Sequence, residues 1–147
     1  MADFTFNSFF LKGYDASTKI NLASGGDTIK LALLADTYTP DRDTHEFFDD
    51  VSGDEIAGTG YTAGGATIGT QTYTQDNPLD SAVFDGDAVE WTSSTITARY
   101  GVIYKDTGTP STSPLIQLID FGANQSTSGS TFRITPSANG YFRVTNA

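Results

Sequence analysis

The sequence predicts an all-β, mainly antiparallel single domain: a β-sandwich or jelly-roll-like fold carrying one or two short helices. Three observations lead there. The 147 residues include 22 Thr, 13 Ser and 15 Gly, and threonine-rich runs broken by glycine favour strands and turns over helices. Short apolar segments with strand periodicity recur between turn signals. The length suits one core rather than two.

Thr28–Asp36 is the first clear strand. It is apolar at Ile29, Leu31, Ala32, Leu33 and Leu34, so it should be central and covered on both faces. Gly25-Gly26-Asp27 supplies the turn before it. Thr95–Tyr104 alternates, with Ile96, Ala98, Tyr100, Val102 and Tyr104 expected on one face. Pro114–Phe121 comes after a short polar loop and should be its antiparallel neighbour. Thr131–Thr135 and Tyr141–Thr145 flank Asn139-Gly140, which predicts a hairpin joining them. Ala66–Thr74 and Val83–Trp91 are weaker strand candidates. Asp43 as N-cap with Glu46 reaching back predicts a turn or two of helix that stops at Gly53. Asp3–Lys12 reads as a short helix with Phe6, Phe9 and Phe10 on one face, though the alternation of Phe4 and Phe6 equally supports a strand. Thr37-Tyr38-Thr39-Pro40-Asp41 and Thr72-Tyr73-Thr74-Gln75-Asp76 echo each other, a coincidence of composition rather than a repeat.

The chain divides into two regions: residues 1–26, an N-terminal arm and turn region, and residues 27–147, the β-sandwich. The arm's aromatics, Phe4, Phe6, Phe9 and Phe10, are the candidate partner-binding residues, docking against a neighbouring subunit. Capping the chain's own core is an equal alternative. On the docking reading, loss of residues 1–11 leaves the rest folded. A folded chain of this size should expose about 7,200 Å², enough to offer a partner about 800 Å².

Charge is segregated. The chain carries a net charge of −10, and residues 36–90 hold thirteen acids against Arg42 alone, whereas residues 1–35 balance and residues 91–147 are slightly basic. This block reads as a solvated face rather than a cation site, since its spacing does not fit a calcium loop. So negative a chain is poorly suited to gripping phosphate backbones, so no nucleic-acid partner is expected. Nor is a membrane one, since no apolar run is long enough to span and no secretory leader is recognisable. The absence of cysteine excludes disulfides, thiolate metal sites and a cysteine nucleophile. His45, the single histidine, reads as a surface residue of an acidic helix, for want of a nucleophile beside it.

Gly58-Thr59-Gly60-Tyr61-Thr62-Ala63 matches a loose dinucleotide-binding pattern but lacks the strand before and helix after that give the pattern meaning. Asp49-Asp50 with Asp54-Glu55, and Asp85, Asp87 and Glu90, could pair carboxylates for sugar hydrolysis, with Trp91 the lone tryptophan to stack a ring. Asp85-Gly86-Asp87 is more simply a turn. No enzyme, cofactor or metal is expected.

Several blocks in order point further: Asp27–Leu34 (DTIKLALL), Tyr38–Asp41, His45–Asp50 (HEFFDD), Gly58–Gly65 (GTGYTAGG), Trp91, Ser94–Tyr100, Val102–Gly108, Leu115-Ile116 and Asp120–Gly122. Together they resemble small virion structural proteins of tailed bacteriophages and prophages, over about residues 27–122 and more thinly to 144. The resemblance implies a part of the particle. The role it best suits is a capsid decoration (cement) protein that binds the head shell and reinforces capsomer contacts. Its partners would be the major capsid protein and further copies of the chain, as trimers at local threefold positions. It would reside on the capsid surface of the virion, and in host cytoplasm before assembly. The alternative is a tail, baseplate or fibre-associated component contacting host glycans through exposed loop aromatics such as Tyr38, Tyr61 or Tyr73.

Overall fold

A computed structural model describes residues 2–145. In chain order its elements are β1 (Phe4–Thr5), α1 (Asn7–Lys12), β2 (Ile29–Leu34), β3 (Ala66–Thr67), β4 (Thr72–Asp76) and β5 (Ser81–Asp85). Next come β6 (Val89–Ser94), β7 (Thr97–Lys105), β8 (Leu115–Ser126), β9 (Ser130–Ile134) and β10 (Phe142–Thr145). Every strand pairing is antiparallel.

The backbone of the fold is a five-stranded sheet ordered β1-β8-β7-β2-β3. β2 runs against β7 from Ile29↔Lys105 to Leu34↔Tyr100, and its apolar residues serve both faces as expected. Ile29, Leu31 and Leu33 enter one core, whereas Ala32 and Leu34 enter another on the opposite side. The first core is closed by two small sheets, β10-β5-β4 and β6-β9, which bring Phe84, Phe142, Trp91 and Phe132. The second is closed by Phe4 and Phe6 from the N-terminus and by Tyr38, Phe48 and Val51 from the acidic segment. The sandwich thus has a divided second layer on one side and a loop layer on the other.

β7 and β8 are neighbours, as the sequence indicates, but the alternation of β7 does not persist. Ile96 and Ala98 lie in the first core, and Tyr100, Val102 and Tyr104 in the second. The change falls at a register slip: Ala98 faces Gln125 but Tyr100 faces Asp120, so Phe121–Asn124 stand opposite Arg99 alone. Such an irregularity bends and twists a strand pair, and Gly122 within it adopts φ 80°.

The hairpin expected at Asn139-Gly140 does not join β9 to β10. The turn itself forms, with Gly140 at φ 79° and its N–H donating to Ser137 O at 3.0 Å. Yet β9 pairs with β6, placing Phe132 opposite Trp91, and β10 pairs with β5, placing Phe142 opposite Phe84. Gly140 passes so close to Phe84 that a Cβ would strike its carbonyl. The turn signal is local, but aromatic burial chooses the partners.

The first predicted helix forms in shortened form, and the second is replaced by tighter turns. In the first segment Phe4 and Thr5 pair with Leu118 and Gln117, and only Asn7–Lys12 is helical. In the second, Asp41 rather than Asp43 caps the turn, accepting the N–H groups of Asp43 and Thr44 at 2.9 and 3.0 Å. The chain then makes a pair of 3-10 turns, Phe48–Asp50 and Ser52–Asp54. Asp50 accepts the N–H groups of Glu46 and Phe47 at 2.8 and 3.0 Å, fixing the first of them.

Candidate interaction surface

The N-terminal segment is sewn into the domain. Phe6 N–H donates to Ile116 O at 3.0 Å, the Thr5 hydroxyl to Gln117 Oε1 at 2.7 Å, and Asp120 N–H to Asp3 Oδ1 at 2.7 Å. On its other side Asn7 bonds Asp43, and the Arg42 guanidinium sits 4.8 Å from the Phe4 ring centre. Phe4, Phe6 and Phe9 are 6%, 0% and 8% exposed. The docking-arm expectation is therefore corrected for these three: their rings complete the chain's own cores. Burial of each ring is worth about 1.5–3 kcal/mol, against a total stability of about 5–15 kcal/mol for a small domain. Residues 2–11 are thus part of the fold, not a detachable arm, and their removal takes out an edge strand and its packing.

Phe10 alone of the four is open, at 49% exposure. It is not isolated. Among the described residues the large exposed hydrophobics are Phe10, Leu11, Tyr14, Tyr73 and Leu79. They fall in two short stretches, α1 with the turn after it, and β4 with the connection to β5.

The two stretches approach at one point, where Tyr14 lies near Tyr73. In the β10-β5-β4 sheet, Phe142, Phe84 and Tyr73 form one row across a face, and Val144, Ala82 and Gln75 form the next. The first row is anchored in the core: Phe84 stacks on Phe142 at 5.2 Å, and Phe9 of α1 meets Phe142 edge-on at 6.0 Å. The second row lies at the margin of the core, with Val144 half-buried and packed against it. Beneath it lies an open trough of about 700 Å³, lined by Tyr73, Gln75, Asn77, Asp80, Ala82 and Val144. Burial, and secondarily the nearby Tyr14, raise the Tyr73 phenol above its ordinary pKa. An open trough of mixed polarity with an exposed tyrosine at its rim is suited to contact with another macromolecule.

The sequence-derived candidates for chemistry have structural employment. Asp50 caps the first 3-10 turn, Asp54 accepts the Thr37 hydroxyl at 2.7 Å, and Asp87 accepts that of Thr70 at 2.7 Å. Asp85 ends β5, and Gly86-Asp87-Ala88 connects it to β6 of another sheet. Trp91 is 5% exposed and packs edge-on against Phe132 at 6.1 Å. The glycine-rich segment 58–65 is a loop leading into β3. Glu55 organises it, accepting the Tyr61 hydroxyl and Gly64 N–H, each at 2.6 Å. Burial first, and then that Glu55 bond, push the Tyr61 phenol far above its ordinary pKa.

His45 lies outside any helix and is half-buried, with Nδ1 2.8 Å from the Tyr38 hydroxyl. Of the loop tyrosines that a glycan-binding role would need, Tyr38 is 3% exposed and Tyr61 is half-buried and bonded, so Tyr73 alone presents an open ring. Among the described residues no cluster of three or more His, Cys, Asp or Glu side chains could hold a metal ion, and no helix is long and apolar enough to cross a membrane.

No family model, curated protein or solved structure matches the chain.

The trough was out of reach of sequence reasoning. Tyr73 and Val144 are seventy-one positions apart, and nothing local shows that β5 lies between their strands. The signal that did exist was the density of aromatics near the N-terminus, of which Phe10 faces outward.

Proposed function

We propose that the protein is a structural component of a tailed-bacteriophage particle, a capsid decoration protein that reinforces the head shell through surface fit and makes or breaks no bond. One observation carries the binding part of this reading: an open trough rimmed by the exposed Tyr73 lies on the β10-β5-β4 face, and Phe10, Leu11 and Tyr14 stand exposed on and just after α1. The virion part rests on the ordered sequence blocks that resemble small phage structural proteins. Charge does not divide the molecule into two poles: α1 lies against the acidic segment, where Asn7 N–H donates to Arg42 O at 3.0 Å and Lys12 pairs with Glu46 at 2.9 Å, and Asp80 lines the trough.

The test uses particles of the phage or prophage whose genome carries the gene. Purified protein added to heads that lack it should appear on the shell by cryo-electron microscopy. A Phe10→Ser, Leu11→Ser, Tyr14→Ser variant should keep its melting temperature and bind at least about tenfold more weakly, the loss of a modest apolar contact. Density on tails instead of heads supports the tail-associated alternative, for which the open Tyr73 ring is the favourable feature. A gene outside any phage genome, or undiminished shell binding by the triple variant, overturns the proposal.

A further inference from the structure

Sheet edges in this molecule are mostly guarded. The five-stranded sheet ends in β1 and β3, each two residues long, and where β8 runs on beyond β1 it carries the register slip around Gly122; short and irregular edges are a common protection against pairing with other chains. β9 carries Arg133 and β10 carries Arg143, while β6 holds Glu90 and a register slip against β9. β4 differs. It is the outer strand of its sheet, its register with β5 is unbroken over five residues, and it contains neither Pro, Lys nor Arg. Thr72, Tyr73, Thr74 and Gln75 are all exposed. Its one charge, Asp76, is occupied by Arg143 of the same sheet at 2.9 Å.

We infer that β4 is a self-association edge, which pairs antiparallel with β4 of a second copy of this chain about a twofold axis through Thr74. The register that uses all five residues sets Thr72 against the partner's Asp76, Tyr73 against the partner's Gln75, and Thr74 against the partner's Thr74. This pairing is self-complementary. Tyr73 and Gln75 already share the trough face, so both members of that pair stay on one side of the joined sheet. Threonine opposite threonine is a favourable cross-strand pair. The two Asp76 residues lie at opposite ends, about 14 Å apart at strand spacing, beyond a Debye length of about 8 Å at physiological ionic strength. The two Asp76 carboxylates therefore repel each other only weakly across the contact. The product is a six-stranded sheet, β10-β5-β4 continued into its symmetry mate, with both troughs opening on the same side. The contact closes at two copies and stands on the edge alone, whatever particle the protein serves.

The chain has no cysteine, so a Thr74→Cys variant provides a clean reporter. Directly opposed antiparallel residues have Cα atoms about 4.5–5.5 Å apart, within disulfide range. Mild oxidation should trap a Thr74→Cys dimer at least about tenfold faster than it traps Ser128→Cys, an exposed control on the loop before β9. In sedimentation velocity the native chain should show concentration-dependent dimer, lost in Thr74→Lys and in Thr74→Glu and restored when the two variants are mixed. Melting curves unchanged by these exposed substitutions exclude misfolding as the cause. Equal trapping at both cysteines, native protein that stays monomeric at about 0.5 mM, well above the range of specific dimers, or Thr74→Lys chains that dimerise normally would each overturn the inference.

Discussion

Two stretches of this chain, Thr37-Tyr38-Thr39-Pro40-Asp41 and Thr72-Tyr73-Thr74-Gln75-Asp76, share four residues of five. In the first, Tyr38 is buried, edge-on to Tyr100 at 5.7 Å and hydrogen-bonded to His45. In the second, Tyr73 stands on an outer strand with its ring open to solvent. The differing residue accounts for much of the divergence. Pro40 has no N–H for a ladder and confines the residue before it to extended backbone, so the chain turns there and Asp41 caps the turn. Gln75 keeps its donor and the strand runs on. Identical tyrosines become a core residue and a surface one because a proline ends one strand before it starts.

Substitutions at the two tyrosines can break that comparison, and the largest effect belongs to Tyr38. Tyr38→Ala removes a ring from the second core and leaves a cavity, so urea denaturation should show a loss of about 3–5 kcal/mol. A loss under about 1 kcal/mol would mean that the loop layer is not packed as described.

Acid should separate the two regions next. The Thr44 hydroxyl, followed by the N–H groups of Thr44 and Asp43, holds the Asp41 carboxyl below its ordinary 3.8. Burial pushes Asp50 upward, but the N–H groups of Phe47 and Glu46 outweigh it and leave this carboxyl lowered too. A lowered folded-state pKa contributes stability above the unfolded value, which is lost as pH falls through the folded one. The urea midpoint should therefore drop as pH is lowered below about 4, and Asp41→Asn, which can still accept the cap bonds, should make that drop shallower. An unchanged slope in the variant would remove Asp41 from the account.

The smallest effect belongs to Tyr73. Tyr73→Ala should change monomer stability by no more than about 0.5 kcal/mol. A loss comparable to that of Tyr38→Ala would show that the two rings are buried alike.

Legibility in the sequence tracked the reach of each signal. β2 could be read because its apolar run is continuous and both faces are buried, a pattern internal to six residues. β7 and β8 could be read as neighbours because a short polar loop joins them. The switch of β7 between cores could not, since the extra residues that cause it lie on β8, around Gly122. Asn139-Gly140 announced a turn correctly but not its partners, which Trp91, Phe84, Phe132 and Phe142 select from far away in the chain. The N-terminal rings were conspicuous by composition. Their allocation, three inward and Phe10 outward, depends on β8 offering its edge to β1. The candidate surface shares that limitation, being assembled from segments near residues 10–14, 73–82 and 144.

The register slip at Arg99 has a thermodynamic corollary. One strand supplies side chains to the hydrophobic layers on both sides of the central sheet, and Arg99 is tied there to Asp120 of β8. Neither layer can loosen without dislodging residues that support the other, so the two melt together. Native-state hydrogen exchange should accordingly find the slowest amides of β2, β7 and β8 opening in a single concerted event, the behaviour of a rivet rather than a hinge.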